Sequence, residues 1–160
     1  NRKNEGFPYI TGPADFGVLH PIVSKWTKKP KVFSKKEDIL ITVKGSGVGK
    51  LNVNNQDKLV ISRQLMAIQP ILISKTYSFY WLQTSYLHLQ EIKDGLIPGI
   101  SRIDIQSKNF PLPPFPEQQA IVERVEKLTV MIDDLEKQVA ERKDKSERLM
   151  QSVLREAFAQ

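Results

Sequence analysis

Phe110-Pro111-Leu112-Pro113-Pro114-Phe115-Pro116-Glu117-Gln118-Gln119 divides this chain in two. Four prolines fall within the six positions 111–116. Proline lacks an N–H and fixes φ, so this stretch cannot form a helix or a central strand. It predicts an extended, stiff connector over 111–116. Pro116 suits the first turn of a helix, and Glu117 complements the positive helix end. From Glu117 to Gln160 there is no Gly and no Pro. Ile121, Val125, Leu128, Ile132, Leu135 and Val139 alternate spacings of four and three, which is a heptad seam. The register then reaches Arg142 and Ser146 and resumes apolar at Leu149 and Val153. The pattern predicts a long helix over 117–160 whose seam packs against a partner helix. Forty-four helical residues would span roughly 66 Å. Two other arrangements fit the same residues: a helix packed on its own domain, and a helix broken near Lys143-Asp144-Lys145 that folds back as a hairpin.

The first 110 residues read differently. Ile39-Leu40-Ile41-Thr42-Val43 is rich in β-branched residues and bounded by charge and glycine, so it predicts a buried strand. Gly45-Ser46-Gly47-Val48-Gly49 is a turn, with Val48 to Val53 as the returning strand. Leu59-Val60-Ile61 and Leu65 to Ile68 are further strands. Tyr77 to Leu89 is a helix with an aromatic face, read as core and not as a base-stacking platform. Gly95 to Gly99 is a loop, and Ile103 to Ile105 a last short strand or turn. No internal repeat is visible. The fold class is α+β: a mixed α/β domain over 1–110, the connector, then the coiled-coil-like helix.

Composition narrows the function. The 160 residues hold no cysteine, which excludes disulfides and Cys-based zinc sites and favours an intracellular, cytoplasmic protein. No apolar run approaches the roughly 18 residues of a membrane span, and no signal peptide is visible. The chain does not begin with Met, so the expectation is a fragment or a processed piece. Net charge is +6, made of +8 over 1–110 and −2 over 111–160. A basic domain favours polyanions, nucleic acid first.

Gly45-Ser46-Gly47-Val48-Gly49-Lys50 resembles a phosphate-binding loop but fails on spacing. Only three residues separate Gly45 from Gly49, and Leu51 stands where a magnesium-binding hydroxyl belongs. With Lys44, Ser46 and Lys50, the turn suits contact with nucleic-acid phosphates instead. His20 and His88 lie far apart with no carboxylate at metal-ligand spacing, so no metal and no cofactor is expected. No nucleophile with a base, no Asn-Pro-Pro-aromatic methyltransferase motif and no nuclease carboxylate cluster is present, and nothing here asks for catalysis. The densest basic stretch is Lys25-Trp26-Thr27-Lys28-Lys29-Pro30-Lys31, then Lys35-Lys36, read as a loop. It suits backbone contact and groove insertion. Arg63-Gln64 and Arg102 carry side chains suited to base edges, Arg to guanine and Gln to adenine.

The pieces together resemble a known family. Gly6-Phe7-Pro8-Tyr9-Ile10, Glu37-Asp38-Ile39-Leu40-Ile41-Thr42 running into Gly45-Ser46 and Gly49-Lys50, Arg63-Gln64-Leu65, Gly99-Ile100-Ser101, and Pro111-Leu112-Pro113-Pro114 with Glu117-Gln118 and Ile121-Val122 look like the DNA specificity subunit of Type I restriction-modification enzymes. The resemblance implies a DNA target recognition domain followed by a conserved spacer helix. It implies that each such domain reads one half of a split double-stranded target, while the helices set the gap and dock methyltransferase subunits. Modification and restriction would belong to those other subunits. One recognition unit is present, so it would pair with a second specificity half or with its own copy. Glu37 departs from the family, where Gly is expected before the Asp. Two other classes remain open: a protein-interaction module acting through the helix, and the recognition part of a fused methyltransferase–nuclease.

Overall fold

Ile39-Leu40-Ile41-Thr42 forms strand β4 (Ile39–Thr42), and all four side chains are buried. Successive side chains of a strand point to opposite faces, so β4 serves two cores. Ile39 and Ile41 join Val43, Val48, Leu82, Tyr86 and Ile100 in one cluster. Leu40 joins Ile10, Leu59, Ile61 and Leu65 in the other. The structure is a computed structural model that describes residues 5–45, 47–90 and 99–158, with side chains described only to 86 in the second segment. It divides into two compact units, Asn1–Gln118 and Gln119–Gln160.

The first unit is layered around β4. A three-stranded sheet runs in the order β5–β4–β7, with β5 at Leu51–Val53 and β7 at Leu65–Ile68, both antiparallel to β4. A four-stranded sheet runs β2–β1–β6–β3. Its strands are β1 (Phe7–Ile10), β2 (Lys25–Thr27), β3 (Phe33–Lys35) and β6 (Lys58–Ile61). β1 pairs parallel with β6, and the other two pairings are antiparallel. Helix α1 (Lys75–Gln90) packs against the Ile39–Ile41 side. Its Tyr77, Leu82 and Tyr86 are buried, so the aromatic face is core, as its composition implies. His88 and the 95–98 part of the expected loop have no described side chains.

Two expectations fail. Lys25-Trp26-Thr27 is an edge strand and not a loop, because Trp26 packs inward opposite Pro8 while an edge tolerates lysine. Ile103–Ile105 lies within a helix, α2 (Arg102–Gln106). Ser101 accepts from the Asp104 N–H while the Asp104 carboxylate accepts from Ser101 N–H, a reciprocal capping box that selects helix over strand. The glycine turn is present, but Val48 stays inside it, buried, and β5 starts only at Leu51. Gly45, Gly47 and Gly49 all take positive φ, which keeps the backbone off the ladder until Lys50.

A buried polar knot joins the two sheets. The Asp38 carboxylate accepts from the Ser34 hydroxyl and the Lys35 N–H at 3.1 and 2.8 Å. The Asn54 amide donates to the Ser34 hydroxyl at 3.1 Å and to the Lys35 carbonyl at 2.8 Å. Lys35 C=O also accepts from Asp38 N–H, closing a four-residue turn with Glu37 at its third position at φ 71°. That position in such a turn favours glycine. This is the place where the chain departs from its resemblance, and Glu37 keeps the glycine-like backbone while pairing with Lys75.

The connector is pinned to α1. Phe110 stacks edge-on to Tyr77 and Trp81 at 5.7 and 4.7 Å. Tyr77 donates its hydroxyl to the Pro111 carbonyl. Gln118, only 2% exposed, accepts from Ser74 N–H at 2.9 Å and donates to the Pro113 carbonyl at 2.9 Å. Helix α3 (Phe115–Phe158) is one continuous helix through Arg142 and Ser146, so it has no hairpin at Lys143–Lys145. Its seam side chains are exposed, apart from half-buried Val125.

Glu37→Gly is expected to raise the thermal unfolding midpoint, because relief of a left-handed backbone outweighs an exposed ion pair. Glu37→Ala, which keeps the strain and loses the pair, is expected to lower it; differential scanning calorimetry of both variants checks the order.

Candidate nucleic-acid interface

The β4 register places three turns at one end of the strands. Thr42 lies opposite Leu65, so the β6–β7 turn stands beside the glycine turn that follows β4. Val43 N–H donates to the Gln64 carbonyl at 2.8 Å. Ile10 lies beside Ile61, which brings the end of β1 to the same place. The Arg63-Gln64 turn is fixed at its base by Ser62. Its hydroxyl donates to the Thr11 carbonyl at 2.5 Å and accepts from Gln64 N–H at 3.0 Å. A Cβ at Gly12 would come within 2.6 Å of Gln64 Oε1, and one at Gly45 within 3.7 Å of Nε2. The Gln64 amide therefore lies in space that a side chain at Gly12 would fill, with Gly45 in ordinary contact on its other side.

A groove of about 670 Å³ opens beside this turn. Tyr9, Thr27 and Val60 line it from the strands, Lys29 and Lys31 from the β2–β3 connection, and Arg63 and Gln64 from the turn. Two separate basic segments of the sequence thus meet across one concave surface. Cations on the wall and an Arg-Gln pair at the end are side chains of the kinds that suit phosphate contact and base edges. Tyr9 and Thr27 were not singled out from sequence. The available signal was the alternation of β1, which buries Ile10 and turns Tyr9 to the other face.

The remaining candidates are dispersed. Lys44 and Lys50 are exposed at the two ends of the glycine turn, whose Gly45 approaches Gln64. Ser46 lies outside the described residues. Lys28 pairs with Glu5 at 2.5 Å. Trp26 is half-buried in β2. Arg102 is exposed at the start of α2, which Ile100 ties to the Val43 carbonyl at 3.0 Å. His20 is a loop residue whose Nδ1 lies 2.9 Å from the Val53 carbonyl. Among the described residues no group of acidic, His or Cys side chains could hold a metal ion, and no helix is long and apolar enough to cross a membrane.

The family model described as Type I restriction modification DNA specificity domain matches residues 1–142. Over 157 residues the chain is 31% identical to the MjaX specificity subunit assigned to a type I restriction enzyme of Methanocaldococcus jannaschii, covering 96% of this chain and 36% of that one. Over 137 residues it is 32% identical to the type I restriction enzyme EcoBI specificity subunit of Escherichia coli, covering 82% and 28%. A chain solved in work on complex assembly and conformational transition of the type I R-M system superimposes with TM-score 0.81 at 31% identity, over 99% of this chain and 40% of that one. The HsdS subunit from Thermoanaerobacter tengcongensis gives TM-score 0.74 at 30% identity, over 86% and 33%. The chain therefore spans between 28% and 40% of the length of these relatives.

Lys25, whose side chain is 44% exposed, is held against Asp15 and Thr11. Its ammonium lies 2.9 Å from Asp15 Oδ1 and 3.0 Å from the Thr11 hydroxyl. Burial pushes the Asp15 carboxyl up. Hydrogen bonds from the Thr11 N–H and hydroxyl and from Lys25, with the lysine charge, outweigh it and hold the group below its ordinary value of 3.8. A lowered folded value means the ionised group stabilises the fold fully above the ordinary value, and that contribution is lost as pH falls through the lowered one. Asp15→Asn is accordingly expected to lose stability at neutral pH and to show a shallower stability loss below about pH 4, read from urea unfolding midpoints along an acid titration.

Proposed function

This chain belongs to the family of Type I restriction-modification DNA specificity domains, and from that premise we propose that it reads double-stranded DNA for a restriction-modification complex in the cytoplasm, with no catalytic step of its own. The observation that carries the reading is the groove that joins Lys29 and Lys31 to the Arg63-Gln64 turn. Lys29 and Lys31 hold phosphates and set the register on the duplex, which adds affinity without sequence information. Arg63 and Gln64 enter the major groove, where Arg matches guanine O6 and N7 and Gln matches adenine N6 and N7. The Ser62 hydroxyl, bonded to the Thr11 carbonyl and the Gln64 N–H, fixes the backbone of the turn that presents them. Lys44, Lys50 and Arg102 add further phosphate contacts, and Lys25 ties β2 to Thr11 and Asp15.

The exposed seam of α3 is the assembly element. Leu128, Ile132 and Leu135 are each about half exposed, an arrangement that favours burial against another helix. The occupant is the corresponding helix of a second specificity half or a second copy of this chain, and methyltransferase and restriction subunits dock on that frame. A module acting through the helix without DNA contact is the competing reading, favoured by the same seam.

Arg63→Ala is expected to cost about 1–3 kcal/mol of discrimination between target and non-target duplex. Lys29→Ala with Lys31→Ala weakens all duplexes alike and lowers the salt slope by roughly 0.9 per lysine. Fluorescence anisotropy over a salt series separates the two, and absence of any salt-dependent binding by the assembled chain would remove the DNA reading. Leu128→Asp with Leu135→Asp is expected to reduce the mass measured by light scattering to that of one chain and to abolish high-affinity binding with it. Loss of assembly with no DNA binding in either form would select the competing module.

A further inference from the structure

The outward face of the four-stranded sheet continues past the recognition groove. Phe7 and Phe33 stand on it as an edge-to-face pair, with centroids 5.0 Å apart, and are 37% and 45% exposed. Beside them Lys35 of β3 lies directly opposite Lys58 of β6. Side chains directly opposite in an antiparallel pair have Cβ atoms about 4.5–5.5 Å apart, and like charges there are destabilising. Lys36 follows at the same edge. These residues line a second groove of about 630 Å³, whose one acidic member is Asp57. Among the described residues none of the three lysines carries a salt bridge. The fold therefore sets two lysines at directly opposite positions beside exposed aromatics, and among the described residues neither is held in a salt bridge.

We infer that this sheet face is a second DNA contact, in which Lys35, Lys36 and Lys58 hold the phosphate backbone of duplex flanking the target and Phe7 and Phe33 cover its sugars. The occupant is identified by charge and by continuity. A phosphate between Lys35 and Lys58 converts their repulsion into attraction to a shared anion. Val60 lines the first groove and lies opposite Phe33 of the second, so one sheet carries both surfaces without a break. Phosphate contacts of this kind position a duplex and carry no sequence information. The inference rests on the DNA-reading function proposed above and adds the flanking duplex to it.

The test uses the full chain in the assembly it forms, with two target duplexes, one ending at the target and one extended on both sides. Wild type is expected to bind the extended duplex more tightly. Lys35→Gln/Lys36→Gln/Lys58→Gln is expected to remove that advantage and to lower the salt slope by roughly 0.9 per lysine, with the ratio of target to non-target binding unchanged. Lys58→Glu sets an acid opposite Lys35, so its unfolding midpoint is expected to rise while the extended-duplex advantage falls. An unchanged slope and unchanged length dependence in both variants would overturn the inference while leaving the reading of the target intact. Unchanged DNA binding with weakened assembly would overturn it in favour of an acidic protein partner. If wild type binds neither duplex, the DNA reading itself fails, and it fails at that earlier step.

Discussion

β4 is buried on both faces, and the geometry of everything near the reading turn depends on this. Burying an aliphatic side chain of this size contributes roughly 1.5–3 kcal/mol, and Ile39, Leu40 and Ile41 are each at most 1% exposed. A slip of one residue would exchange the two faces and set Leu40 and Thr42 against α1. The register is therefore held by two cores at once. Because that register aligns Thr42 with Leu65, it also aligns the turns that follow β4 and precede β7. The side chains proposed for recognition sit on turns, but the position of those turns is decided inside the strand stack.

Polar groups complete what the apolar layers leave open. Two sheets packed face to face need a link where the chain crosses between them, and Ser34, Asp38 and Asn54 supply it at the β3–β4 crossover. The Asn54 bonds tie a distant segment into the local Ser34–Asp38 turn, which makes the knot specific as well as stabilising. Gln118 does similar work for the connector, satisfying an N–H near the start of α1 and a carbonyl of the proline run with one amide. The Glu117-Gln118 pair thus has a physical reason to follow the prolines.

Much of this was legible in the sequence, and unevenly. The buried strand, the glycine turn, the aromatic helix and the long heptad helix each follow from local pattern strong enough to survive tertiary packing. The edge strand at Lys25–Thr27 was not legible, because its lysine and the basic run that follows mask an alternation in which only Trp26 lies on the Pro8 side. The Ser101–Asp104 capping box was present in the letters, yet three residues of isoleucine-rich sequence suggested a short strand or a turn. Of the interface, Arg63-Gln64 and the basic stretch were visible as separate motifs. Their convergence was not, since it depends on β1 lying parallel to β6 across some fifty intervening residues, a pairing that no local signal encodes. Tyr9 enters the groove for the same reason.

That parallel pairing also orders how the molecule can come together. β1 and β2 can form a hairpin early, but two short strands have little stability by themselves in water. Their permanent neighbour, β6, is joined only after Lys58–Ile61 has been made and the loop between them closed, an entropic cost met before any contact rewards it. Parallel, long-range closures of this kind are slow. The groove draws one wall from each side of that closure, so it is among the last features to exist. An unfinished chain offers exposed β-strand edges and lysines in place of the groove, so the selectivity proposed for it would arrive only with the completed fold.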